Sequence, residues 1–213
     1  GTKVTELEAW ATEAGHGFLA FDYSGHGLSD GAFEDGTISA WREDALAAID
    51  THSTGPIVLV GSSMGGWMAL LAALARPDRV AGLVLIAPAP DFTEKLMWPE
   101  FSAEAQSEIM EQGFTQRPSD YDEPYTITRA LIEDGQTWQI LDAPIELDIP
   151  VRILQGMQDA DVPWKHAERL VDTITSEDLV FTLIKDGDHR LSREQDIARL
   201  KTTCAEIATA TRP

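Results

Sequence analysis

The chain is short of cysteine. Cys204 stands alone among 213 residues. No internal disulfide can form, which fits a reducing compartment. It falls in a predicted terminal helix with no histidine beside it and reads as a packing residue. Bases are scarce too, with 16 Lys and Arg against 36 Asp and Glu, a formal net charge of -20. Phosphate backbones need a basic surface, so nucleic acid is excluded as a partner, and anionic membranes are disfavoured for the same reason. The plain reading of this acidity is solubility or a salty habitat; selection for a cationic partner is the sharper one. Long apolar runs are missing. The longest uncharged one, "MALLAALA" (68–75), is too short to span a bilayer. No secretory leader is visible at the start, and a cytoplasmic, bacterial location is expected.

What remains is ordinary globular material. Apolar residues make up 43% and charged residues 24%, enough for one core, and a single domain over 1–213 is expected. Apolar runs alternate with helical spacing. "GFLAFD" (17–22), "PIVLV" (56–60), "AGLVLIAP" (81–88), "VRILQG" (151–156) and "LVFTLI" (179–184) read as strands. "ISAWREDALAAID" (38–50), the stretch 65–75, the stretch 165–174 and the chain from about Arg193 read as helices. Such alternation predicts an α/β fold, a mostly parallel sheet with helices on both faces. Ligands bind at the carboxyl ends of strands in sheets of this kind.

The alternation stops over 91–149. That segment is aromatic-rich, with Phe92, Trp98, Phe101, Phe114, Tyr121, Tyr125 and Trp138. It shows no clear strand and is expected to be a helical lid inserted after a strand end. The bland alternative is a helical excursion with its own small core.

The most informative stretch is "IVLVGSSMGGW" (57–67). G-x-S-x-G fits one register, Gly61, Ser63 and Gly65. It follows a predicted strand and opens a predicted helix, the setting of a nucleophile elbow. The turn is tight, so small residues are expected two before and two after the nucleophile. The helix start would aim the Met64 N–H at developing negative charge. A P-loop is excluded, because no lysine follows the glycines.

Ser63 needs a base. Among five histidines, only His189 in "IKDGDHRLS" follows a predicted strand late in the chain. His16, His52 and His166 read as surface or packing residues, and His26 in "SGHGLSDG" could line the site. An acid must fix the histidine tautomer. Asp159 in "GMQDADVP" is the first acid past its strand, and Asp161 could instead cap the next helix. The order Ser63, Asp159, His189 is that of one fold.

With these residues in place, "FDYSGHGLSDG", "LVGSSMGGWMALLAALARPDRV", "ILQGMQDADVPW" and "DGDHRLSREQDI" resemble the α/β-hydrolase superfamily. They are most similar to its branch of mitochondrial palmitoyl-protein thioesterase and acyl-glucuronide esterase, with bacterial relatives. The resemblance is strong in these blocks and weak over 91–149. It implies a small-molecule acyl ester or thioester substrate, hydrolysed without metal or cofactor. It also implies a second oxyanion donor from a loop that would precede "GTKVTELEAWATEAG", so the N-terminal strand and that loop are expected upstream of Gly1. Two other readings stay open: a non-catalytic binding protein on this scaffold, and a carbon–carbon hydrolase. The latter would need a carboxylate-binding arginine pair near the lid, for which Arg117 and Arg129 are the candidates. Phe92 and Trp98 could line an acyl channel, Arg190 could meet a carboxylate, and Trp67 reads as core.

Overall fold

A computed structural model describes residues 1–117 and 124–211. Tyr121, one of the aromatic residues counted above, lies outside them. Among the described residues the main sheet has four strands, β1 (Ile57–Ser62), β2 (Val80–Ile86), β5 (Val151–Gly156) and β6 (Leu179–Ile184), in the order β1-β2-β5-β6. Every pairing in it is parallel. A parallel sheet must be covered on both faces, which is why β2 and β5 are buried, β2 being apolar throughout and β5 apolar apart from Arg152 and Gln155. On one face, α3 (Met64–Ala75) and α6 (Trp164–Thr173) build a core with Leu70, Leu83, Leu85, Ile153 and Leu170. On the other, α1 (Thr2–Ala14) and α7 (Glu194–Ala210) close over Val84, Ile86 and Leu154, with Cys204 packed among them. Burial pushes the Cys204 thiol up to about 12. α2 (Ile38–His52) begins at Thr37, whose hydroxyl accepts from Ala40 N–H.

One expected strand does not form. Residues 17–22 run as irregular chain beside β1, with Phe18, Leu19 and Phe21 exposed. Among the described residues β1 pairs only with β2. Between β1 and this segment lies an apolar groove of about 670 Å³, lined by Leu7, Trp10, Phe18, Leu19, Val58 and Val60. An extended apolar segment becomes a strand only when its backbone groups find a ladder partner, and the groove separates these two.

The interval 91–149 is mixed rather than helical. It carries α4 (Ala103–Gln112) and α5 (Arg129–Thr137), but also an antiparallel pair, β3 (Phe114–Arg117) and β4 (Tyr125–Thr128). Ile109, Ile127 and Ile132 form a small core there, with Trp98 and Phe101 packed on it. Trp98 thus serves the insertion itself. Asp91, fully buried, accepts from the backbone N–H groups of Ile140 and Leu141 at 2.8 and 2.9 Å. The departing and returning chain therefore meet at one carboxylate. Past Leu141, the chain descends toward β5 with Ile145 and Leu147 in the main core. The insertion is also docked on α2. Asp134 accepts from Ser39 N–H and Oγ, Trp138 Nε1 donates to Ser39 Oγ, and Leu131 packs beside Ile38, Trp41 and Trp67.

Candidate active site

Among the described residues, four other than glycine hold positive φ: Ser63 (55°), Ala87 (43°), Asp91 (56°) and Leu191 (44°). Each follows the carboxyl end of a sheet strand. Backbone strain of this kind concentrates at functional edges. Ser63 sits between β1 and α3. Its N–H donates to the Ile86 carbonyl at 2.9 Å, and its own carbonyl accepts from Gly66 and Ala89 N–H. These bonds hold the turn in its strained form. Gly61 is required by close approach, since a Cβ there would lie 2.3 Å from the Gly65 carbonyl oxygen. The expectation for position 65 is corrected. A Cβ on Gly65 would meet only the Tyr23 hydroxyl at 3.9 Å, whereas one on Gly66 would lie 2.9 Å from Pro88 Cβ. The second tight contact is thus one residue later than the motif suggests.

The structure brings Ser63, Asp159 and His189 together from three strand ends. His189 Nε2 lies 3.1 Å from Ser63 Oγ, and His189 Nδ1 lies 2.8 Å from Asp159 Oδ2. The carboxylate can only accept, so Nδ1 carries hydrogen and neutral Nε2 faces the hydroxyl. Asp159 is buried and receives four N–H donors. Oδ1 accepts from Asp161 and Val162 N–H, and Oδ2 accepts from Gln155 Nε2 and His189. Burial alone would raise its proton affinity, but the His189, Val162 and Gln155 bonds outweigh it and hold the carboxyl below its usual range. Burial likewise works against His189 charging, but the bond and charge of Asp159, with Asp161, raise its affinity above the ordinary imidazole value. The Met64 N–H opens α3, where the first N–H groups of a helix have no intrahelical acceptor.

The other sequence candidates fall elsewhere. Asp161 does not cap α6, whose N-cap is Pro163 without a side-chain bond. His26 is packed against Tyr23, Phe33 and Trp41, with Nδ1 by the Ser24 carbonyl. His166 is buried, with Nε2 2.7 Å from the Pro90 carbonyl, and His16 lies against Trp10. Trp67 is core, edge-on to Phe92. Arg117 and Arg129 each pair with a separate acid, Glu100 and Glu133. Asp159, Asp161 and His189 also hold donor atoms within 4.8 Å of one another, but Asp159 and His189 already engage each other and their neighbours. Gln155 escaped the sequence reading. Its signal was a polar side chain ending the apolar run "VRIL", and it is fully buried against Asp159.

Residues 3–201 match the alpha/beta hydrolase family.

The chain belongs to that family. Over 209 residues it is 38% identical to the mitochondrial palmitoyl-protein thioesterase ABHD10 of Pongo abelii, covering 97% of this chain and 68% of that one. A solved structure of mouse alpha/beta hydrolase domain-containing protein 10 superimposes with a TM-score of 0.90 at 37% identity, covering 100% of this chain and 85% of that one. A crystal structure from Agrobacterium vitis S4 is 47% identical with a TM-score of 0.94, covering 97% and 82%. No helix of this hydrolase, among the described residues, is long and apolar enough to cross a membrane.

Proposed function

We propose that the protein is a serine hydrolase that cleaves acyl esters or thioesters through a covalent acyl-Ser63 intermediate. The observation that carries this reading is the unbroken relay from Asp159 Oδ2 through both nitrogens of His189 to Ser63 Oγ. Ser63 Oγ attacks the acyl carbonyl carbon while His189 Nε2 takes its proton. The carbonyl oxygen becomes an oxyanion and accepts from the Met64 N–H. Asp159 holds the imidazolium. His189 then returns the proton to the departing thiol or alcohol. Water, deprotonated by His189, attacks the acyl-serine carbonyl, the bond to Ser63 Oγ breaks as His189 returns the proton to that oxygen, and the acid leaves. The thioesterase name of the Pongo abelii relative supports the thioester as one substrate class.

The insertion over 91–149 is proposed as the lid, with Phe92 beside the elbow in the cluster that holds Met64 and Trp67. A reducing, cytoplasmic compartment suits a chain whose one cysteine is buried and unpaired.

The test is a series of p-nitrophenyl esters and acyl thioesters of rising chain length, assayed with the parent and Ser63→Ala. The variant is expected to lose kcat on the order of 10⁶-fold. The parent, quenched during turnover, is expected to gain one acyl mass on the peptide carrying Ser63. Undiminished turnover by Ser63→Ala rejects the reading.

A further inference from the structure

The loop that carries His189 spans 185–193, between β6 and α7. It is braced from three sides. Below, Gln158 N–H donates to the Gly187 carbonyl at 2.8 Å. At its far end, Arg193 bridges Asp186 and Asp196. The third brace comes from the opposite end of the chain. Lys3, in the first turn of α1, donates from Nζ to the Arg190 carbonyl and to Ser192 Oγ, the latter at 3.3 Å.

The bonded carbonyl belongs to the peptide that joins Arg190 to Leu191, and Leu191 holds φ 44° with its side chain buried. A bulky residue in the left-handed region persists only where its surroundings over-determine it. Leu191 N–H is fixed to Asp188 Oδ1 at 2.8 Å. The carbonyl on the same peptide accepts from Lys3 Nζ and, at 3.1 Å, from Ser192 Oγ, which itself accepts from Lys3. Both sides of this strained peptide, one residue past His189, are thus tied, the N–H within the loop alone and the carbonyl by Ser192 together with Lys3 from α1.

We propose that Lys3 is a positioning residue: by donating to the Arg190 carbonyl and Ser192 hydroxyl, it holds the His189 loop so that Nε2 stays aimed at Ser63 Oγ. This rests on the reading of Ser63, Asp159 and His189 as the reacting set.

The ammonium has a second effect through space. Asp159 and Asp161 from the β5–α6 loop face His189 and raise its proton affinity, and Lys3 from α1 opposes them. Ser63 faces it from the elbow, and Asp188 and Arg190 flank it on its own loop. Lys3 itself is held below the usual lysine value by burial, with Asp188 raising and Arg190 lowering it. A charge facing the base and a hydrogen bond fixing its loop are separable by substitution.

The test compares Lys3→Met, Lys3→Gln and Lys3→Arg with the parent, reading kcat, KM and the pH profile of kcat/KM on one ester. Lys3→Met loses the bond and the charge. Its kcat is expected to fall about tenfold to hundredfold from misplacement of the base, with KM little changed. Its ascending pH limb is expected to move to higher pH, because His189 no longer faces the ammonium. Lys3→Gln keeps a donor without charge, so its limb moves as in Lys3→Met while its kcat falls less. Lys3→Arg keeps both and recovers rate and limb. A lysine that served only folding would lower the melting temperature and leave the limb in place. Parent-like kcat in Lys3→Met overturns the proposal whatever its limb does, as does a limb that moves equally in Lys3→Gln and Lys3→Arg. Ser63→Ala and His189→Ala are assayed alongside. If they retain activity, it is the underlying reaction that fails. If they lose it while Lys3→Met does not, only the role of Lys3 falls.

Discussion

Gly66 lies against Pro88: a Cβ at position 66 would come within 2.9 Å of Pro88 Cβ and 3.0 Å of its Cα. Backbone of β2's end cannot yield there without moving the bonds that hold Ser63. Gly66→Ala and Gly61→Ala are therefore expected to destabilise by about 1–3 kcal/mol, as overpacked sites do. Gly65→Ala is expected to keep parent stability, or gain up to about 1 kcal/mol from better helix propensity. Urea melts of the three variants check this ordering.

Asp159 accepts four hydrogen bonds with no exposed side-chain surface to spare. Asp159→Asn leaves the shape and reverses one donor–acceptor relation, favouring the wrong imidazole tautomer. On the reading of His189 as base, kcat falls by about 10⁴-fold. Gln155→Leu removes one of the four donors, and its kcat loss is expected to be far smaller than that of Asp159→Asn. Steady-state kinetics on one ester rank the two.

The pH dependence follows from the same pair. On the reading of His189 as base, turnover needs it neutral, and its folded proton affinity is raised, since Asp159 outweighs burial. The ascending limb of kcat/KM is expected above the ordinary imidazole value of about 6.5. The stabilisation from charged His189 is fully present below that value and is lost as pH rises through the raised one. Asp159 has the opposite sign. Its carboxyl is held low despite burial, so its contribution is present above the ordinary value of about 3.9 and is lost as pH falls through the depressed one. Asp159→Asn is expected to move the limb to lower pH. Rate profiles and NMR titration of the His189 ring protons check both.

Asp91 fastens the insertion. Asp91→Ala removes two charge-assisted bonds and places alanine at φ 56°. A loss of about 2–4 kcal/mol is expected. Asp91→Asn tolerates the backbone angle and keeps one strong acceptor, so it loses less. Limited proteolysis is expected to cut the Ala variant within 91–141 before the sheet.

Much of this arrangement is legible in the residues themselves. β1, β2, β5 and β6 are apolar runs of strand length, and Ser63, Asp159 and His189 follow three of them, so the order alone brings them to one edge. Residues 17–22 are also mostly apolar and fail, because a strand is a relation between two backbones and a groove parts theirs from β1. β3 and β4 escaped for the reverse reason. "FTQR" and "YTIT" are short and mostly polar, and their pairing with each other leaves little periodic trace. Lys3 left none. It grips a main-chain carbonyl 187 residues away, and carbonyls have no letter in a sequence.

The clasp at Asp91 has an evolutionary corollary. The chain departs and returns within one carboxylate's reach, so the roughly fifty residues between behave as a cassette on fixed terminals. Away from Leu131, Asp134 and Trp138, which seat them on α2, their length and composition can drift while the sheet edge bearing Ser63 and His189 stays in register. Diversity among relatives of this chain is therefore expected to accumulate between Phe92 and Gln139, with the edge that carries Ser63 and His189 inherited almost unchanged.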